Sequence, residues 1–107
     1  MAVSFLKKNG FEILNRNYRY GHKEIDIIGK DKNTIVFIEV KTGRSKNFGS
    51  PQEWVTLRKQ KSMIEVALDF IQRNDFRDFD FRFDVVAINF ERGNTKIEHI
   101  KNAFMVD

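Results

Sequence analysis

Three residues in the first half of the chain have the types and spacing for chemistry on phosphate esters: Asp26, Glu39 and Lys41. Glu39 and Lys41 are two apart in Thr34–Lys41, a β-branched and aromatic run that reads as a strand, so they share one face. Glu39 lies inside Ile35-Val36-Phe37-Ile38-Glu39-Val40-Lys41, a run that otherwise reads as buried. A carboxylate there is costly unless it is paired or binds a metal. Asp26 lies in the preceding strand, Glu24–Ile28, where Ile25 and Ile27 are expected on one face and Glu24 and Asp26 on the other. Asp26 is expected to end that polar face. The polar turn Lys30-Asp31-Lys32-Asn33 makes the two strands a hairpin and brings Asp26 beside Glu39. Two adjacent carboxylates repel, and a divalent cation relieves the repulsion. All-oxygen ligation suits Mg²⁺ or Mn²⁺. Lys41, on the face of Glu39, could orient a water or stabilise a phosphoryl oxygen, completing the parts of metal-assisted phosphodiester hydrolysis. A lone Glu-x-Lys is more often an ordinary surface pair. The upstream Asp and the basic segment downstream tip the balance toward a site.

The elements that must position these residues follow from the pattern. The sequence has 107 residues, 41% hydrophobic and 32% charged, a length and composition suited to one globular domain over 1–107. Ala2–Asn9 reads as a short helix closed at Gly10, and Phe11–Tyr20 as a strand turned by Gly21. Gly43–Gly49 is a polar loop. Ser50, Pro51 and Glu53 form a helix start, with Thr56 as a possible second cap. The helix is expected to run to about Arg73, with Ile64, Leu68 and Ile71 on its apolar face and Trp54 near its first turn. Phe81–Phe90 is a strong strand and Lys96–Ile100 a weaker one beyond Arg92-Gly93-Asn94. Helix, three strands, long helix and two strands give an α/β domain with a single mixed central sheet flanked by helices.

Net charge is +4, unevenly spread: residues 40–61 carry six basic groups against Glu53 alone. Such a cluster is the footprint of a phosphate-rich partner, with a solvated face as the plain alternative. Arg44, Lys46, Arg58, Lys59 and Lys61 are the candidate nucleic-acid contacts. Asp84 is expected to pair with Arg82 or another basic residue, and His99 to be a packing or hydrogen-bonding residue. The absence of cysteine excludes disulfides, thiolate metal sites and a cysteine nucleophile. No apolar run approaches the length of a membrane span, and the N-terminal charges follow the apolar residues, opposite to a signal peptide. The expectation is a cytoplasmic protein without a membrane partner.

An Asp followed about a dozen residues later by Glu-x-Lys on a strand resembles the signature of restriction-endonuclease-like nucleases. Further segments extend the likeness: Gly10–Leu14 followed by Arg16–Arg19, Glu24–Ile28, Val36–Thr42, Phe48-Gly49, Arg82–Val86 and His99–Phe104. In order, and over nearly the whole chain, they resemble the bacterial YraN-like family, itself similar to archaeal Holliday-junction resolvases. The resemblance implies a restriction-endonuclease-like fold. Asp26 and Glu39 would be metal ligands, with the carbonyl of Val40 as a further ligand and Lys41 as the catalytic lysine. It implies Mg²⁺ or Mn²⁺, a DNA substrate in branched or single-stranded form, and a homodimer. Two positions depart from the family. Its members carry a longer first helix with a Gly-Glu pair before the segment matching Ala2–Leu6, and that glutamate has no counterpart here. Lys23 stands where the family usually has Gly. The expected activity is a metal-dependent endonuclease. The alternatives are a non-catalytic nucleic-acid-binding module and a protein-interaction module.

Overall fold

A computed structural model describes residues 1–44 and 54–106. Helix α1 (Ala2–Lys8) is followed by strands β1 (Glu12–Tyr20), β2 (Lys23–Asp31) and β3 (Thr34–Gly43). Helix α2 (Leu57–Arg73) then leads to β4 (Asp80–Glu91) and β5 (Asn94–Phe104). The five strands form one mixed sheet in the order β1-β2-β3-β4-β5. Every neighbouring pair is antiparallel except β3 and β4, which run parallel because α2 carries the chain back across the sheet. The expected α/β architecture is therefore present, in an element order compatible with a nuclease-like fold.

The helices cover opposite faces. Alternate residues of β3 divide between them: Ile35 and Phe37 pack with Met63, Val66, Ala67 and Phe70 of α2, whereas Val36 and Ile38 pack with Ala2 and Leu6 of α1. Phe37 anchors the α2 side, its ring centroid 5.4 Å from Phe83 and 6.1 Å from Phe70. Helix α1 ends where Gly10, at φ 90°, lets Phe11 N–H reach back to the Leu6 carbonyl at 3.0 Å.

Helix α2 differs from its sequence reading in three ways. It begins at Leu57, with Thr56 as the cap whose side chain accepts from Lys59 N–H at 3.2 Å. Ser50, Pro51 and Glu53 lie outside the described residues. Trp54 precedes the helix and is buried in the α2-side core rather than sitting in a helical turn. Its apolar stripe is Met63, Val66, Ala67 and Phe70; Ile64 and Ile71 flank it, and Leu68 is 52% exposed. The stripe is centred one position N-terminal to the expected one, because both 3- and 4-residue steps from Met63 meet small or branched side chains that seat closely on the sheet.

Candidate active site

Strand β2 runs on to Asp31, so Asp26 lies within the strand, not at its end. Nor do Ile25 and Ile27 share a face: Ile25 joins the core under α2 and Ile27 the core under α1. The alternation breaks at Asp26. Opposite it on β1, Asn17 adopts φ 53°, and the paired positions skip from Arg16↔Ile27 to Tyr18↔Ile25. On the other side, the β2–β3 ladder stops at Ile27↔Ile38. One step further in that register, Asp26 would face Glu39.

The parting of the two strands frees backbone groups that need partners. Asp26 supplies one: its carboxylate accepts the Val40 N–H at 2.7 Å. In an extended strand the N–H and C=O of one residue point the same way, so the Val40 carbonyl is also directed toward the β2 side. The Asp26 carboxylate is at the same time the hydrogen-bonding neighbour of Glu39. Glu39 is therefore pressed by two effects. Burial pushes its carboxyl up first, and the hydrogen bond and charge of Asp26 add to it, bringing the pKa to about 7. Lys59 works in the opposite direction, with Nζ 3.4 Å from Glu39 Oε2. Lys41, on the α2 side of β3, donates from Nζ to the Trp54 carbonyl at 3.2 Å.

The structure thus gathers Asp26, Glu39 and Val40 where two strands separate, with Lys41 one side-chain repeat along β3 and Lys59 arriving from α2. A surface pocket of about 370 Å³ opens beside Asp26 and Val40, bordered by Met1 and Arg16. The donor set is two carboxylates and a carbonyl, all oxygen, with the Glu39 carboxyl held above its ordinary value by burial and by Asp26. That chemistry fits a hard divalent cation such as Mg²⁺ or Mn²⁺. Among the described residues no group of three or more His, Asp or Glu is placed to hold a metal ion.

The described basic residues border two different pockets. Arg58, Lys59 and Lys61 line a pocket of about 500 Å³ with Lys23. Arg44, exposed at the end of β3, borders a different pocket of about 890 Å³ with Arg92 and Lys96 of the β4–β5 hairpin. Lys46 lies outside the described residues. Asp84 is fully buried. It accepts from Arg82 Nε and Nη2 at 2.9 and 3.0 Å and from Asn102 N–H at 3.1 Å, and it lies 2.7 Å from His99 Nε2. Burial raises the Asp84 carboxyl, but His99, Arg82 and the Asn102 N–H outweigh it and hold the group below its ordinary value. The pairing expected of Asp84 and the hydrogen-bonding role expected of His99 are both present.

Two roles had no signal strong enough to read from sequence. Lys59 was one of several lysines on a helix face, and only the placement of α2 over β3 reveals its ion pair with Glu39. The Asp26-to-Val40 bond depends on where the ladder ends.

Residues 1–88 match the family described as uncharacterised protein family UPF0102. The chain belongs to the UPF0102 family. It is 54% identical to a UPF0102 protein of Chloroherpeton thalassium over 82% of this chain and 68% of that protein. It is 50% identical to one from Caldicellulosiruptor saccharolyticus over 96% and 89%, and 44% identical to one from a Sulfurihydrogenibium species over 99% and 89%. The UPF0102 match takes in α1, α2 and β1 to β3, and with them Asp26, Glu39, Val40, Lys41 and Lys59. No helix among the described residues is long and apolar enough to cross a membrane.

Proposed function

We propose that this UPF0102 protein is a metal-dependent nuclease-like enzyme that hydrolyses DNA phosphodiesters, of the restriction-endonuclease-like type that its motifs resemble. The observation that carries the reading is the meeting of Asp26 and Glu39 at the end of the β2–β3 ladder, with Glu39 pushed up to about 7 by burial and by Asp26 despite the Lys59 ammonium beside it. Asp26, Glu39 and the Val40 carbonyl would hold Mg²⁺ or Mn²⁺. When bound, that ion supplies Lewis-acid polarisation of a phosphoryl oxygen and acidifies a water. The chain's own groups do the rest. Asp26 is oriented by its bond to the Val40 N–H and borders the pocket beside that strand end. The Lys41 ammonium offsets the negative charge that grows on the phosphorus oxygens as water adds and the ester P–O bond breaks. Lys59, at the rim of the basic pocket, can leave Glu39 for a substrate phosphate once another cation takes its place. Arg58 and Lys61 would contact neighbouring phosphates along the strand.

One observation favours the second reading, nucleic-acid binding without chemistry. Lys59 already neutralises part of the charge on Glu39, and the described residues offer two acids at the site, not three. A cleavage assay on branched, single-stranded and duplex DNA, with Mn²⁺ or Mg²⁺ against a chelator, separates the two. The proposal expects metal-dependent cleavage that Asp26→Asn and Glu39→Gln abolish. Salt-sensitive DNA binding with no cleavage in any metal would establish the binding module instead.

A further inference from the structure

The sheet has two outer edges, and they are built differently. The β1 edge is interrupted: its register against β2 shifts between Ile13 and Asn15, and Asn17 sits at φ 53°. Arg16 and Arg19 stand exposed along it. These are devices that discourage strand addition. The β5 edge carries exposed charges too, but over most of its length it has no break in register. From Asn94 to Ile100, β5 holds one unbroken register against β4, from Glu91↔Asn94 to Val85↔Ile100. The register shifts only beyond Ile100, near Asn102 at φ 53°. Among the described residues no strand pairs with the outer side of β5.

The regular stretch is seven residues long, Asn94-Thr95-Lys96-Ile97-Glu98-His99-Ile100, and its midpoint is Ile97. Its charges are arranged about that midpoint: Lys96 on one side, Glu98 on the other, both exposed and on the face shared with Ile100. Ile97 is half-buried on the opposite face, against the α1-side core.

We propose that the outer edge of β5 pairs antiparallel with the same strand of a second copy of this chain, about a two-fold axis through Ile97. In that register Lys96 faces Glu98 of the second copy and Glu98 faces its Lys96, giving two cross-strand ion pairs on one face. On the other face Ile97 meets Ile97 of the second copy. Asn94 and Ile100 close the ends, so the whole regular stretch is used. The register is unique in this respect. Moving the centre by one residue sets Lys96 against itself or Glu98 against itself, and like charges directly opposite destabilise a pair. The interface is isologous, closes as a dimer and removes the exposed edge. A continuous ten-stranded sheet results. The axis is perpendicular to the sheet, so both Asp26–Glu39 sites lie at the same sheet level in each half, roughly 30 Å apart from strand and residue spacings. The dimer does not depend on the hydrolytic reading and is tested without it.

The test uses charge swaps read by sedimentation velocity over a concentration series. Lys96→Glu and Glu98→Lys should each weaken wild-type dimerisation by roughly tenfold or more, because each creates two like-charge pairs. The double variant Lys96→Glu/Glu98→Lys should dimerise like wild type. Mixing the two single variants should give a heterodimer, since every pair across that interface is again opposite in charge. The chain has no cysteine, so Ile97→Cys provides an independent readout. It should form a disulfide-linked dimer on mild oxidation, whereas Thr95→Cys should not, because Thr95 faces His99 of the second copy. A wild-type chain that stays monomeric at all concentrations overturns the proposal. So does a dimer that ignores the swaps, or equal cross-linking at positions 95 and 97.

Discussion

Replacing Glu39 with Gln should make the metal-free protein more stable at alkaline pH, although it removes an ion pair. The folded protein holds the Glu39 carboxyl at about 7, against an ordinary value near 4.5. Between those two values the native state binds more protons than the unfolded chain, so stability is highest below about pH 4.5 and is lost as pH rises toward 7. Lifting the proton affinity over that interval corresponds to a ceiling of about 3.4 kcal/mol at 1.36 kcal/mol per decade. The side chain is 19% exposed, and solvent screening reduces the destabilisation to about 1–2 kcal/mol. Gln keeps the shape and a hydrogen-bonding group without the charge; the contact with Lys59 that it forgoes is already part of the value of about 7. The net gain at pH 8 is about 1–2 kcal/mol, at about 4–8 °C in Tm per kcal/mol for a domain of this size. Thermal melts of wild type and Glu39→Gln in chelator, from pH 4.5 to 8.5, measure it. The two should melt together at the acid end and separate as pH rises, the variant above. A constant difference across the range, or a less stable variant at pH 8, would show that Asp26 and Glu39 do not crowd one another.

Asp84→Asn should cost about 3–5 kcal/mol in urea unfolding, because it removes the buried charge shared by Arg82 and His99 and leaves Arg82 only Asp31, 3.5 Å away, among the described residues. The Asp84 carboxyl is held low, so its contribution is present above the ordinary carboxylate range and lost as pH falls through the lowered value; wild type should show an acid unfolding limb that Asp84→Asn lacks. Arg58→Ala/Lys61→Ala should weaken binding to all duplex sequences alike and flatten the logarithmic salt dependence by up to about 1.8, as read by fluorescence anisotropy. Lys41→Ala should lower cleavage by about a hundredfold while leaving Mn²⁺ affinity within a few-fold, as expected of a group that acts on developing charge.

The order of elements was legible because each has a strong local pattern. Thr34–Lys41 is mostly β-branched and aromatic, Phe81–Phe90 is apolar with few breaks, and Lys32-Asn33 and Arg92-Gly93 are turn residues between strands that proved to pair directly across them. The division of Glu39 and Lys41 from Ile38 and Val40 followed from two-residue alternation, which β3 obeys. The same rule failed at Ile25 and Ile27, because nothing in Glu24–Ile28 reveals that Asn17, on the neighbouring strand, adopts a left-handed conformation opposite Asp26. That irregularity is part of the site: it accompanies the end of the β2–β3 ladder and turns the Asp26 carboxylate to the Val40 N–H. Helix α2 was over-extended because Ser50-Pro51-Gln52-Glu53 carries the local signals of a helix start, whereas the cap in use is Thr56. Leu68 was misplaced for a related reason, since its spacing from Ile64 is helical but the seat on the sheet is taken by Ala67 and Phe70.

The central claim is that Asp26 and Glu39 hold one divalent cation between them. Calorimetric titration of Mn²⁺ into the chelator-treated protein near pH 7.5 tests it most directly, alongside Asp26→Asn and Glu39→Gln. One ion should bind per chain, release protons from Glu39 as it does so, and at a hundredfold excess over Kd stabilise the fold by about 2.7 kcal/mol. Either substitution should abolish the binding heat, the proton release and the stabilisation together. Equal Mn²⁺ binding by wild type and both variants, or no binding by wild type, would contradict the account.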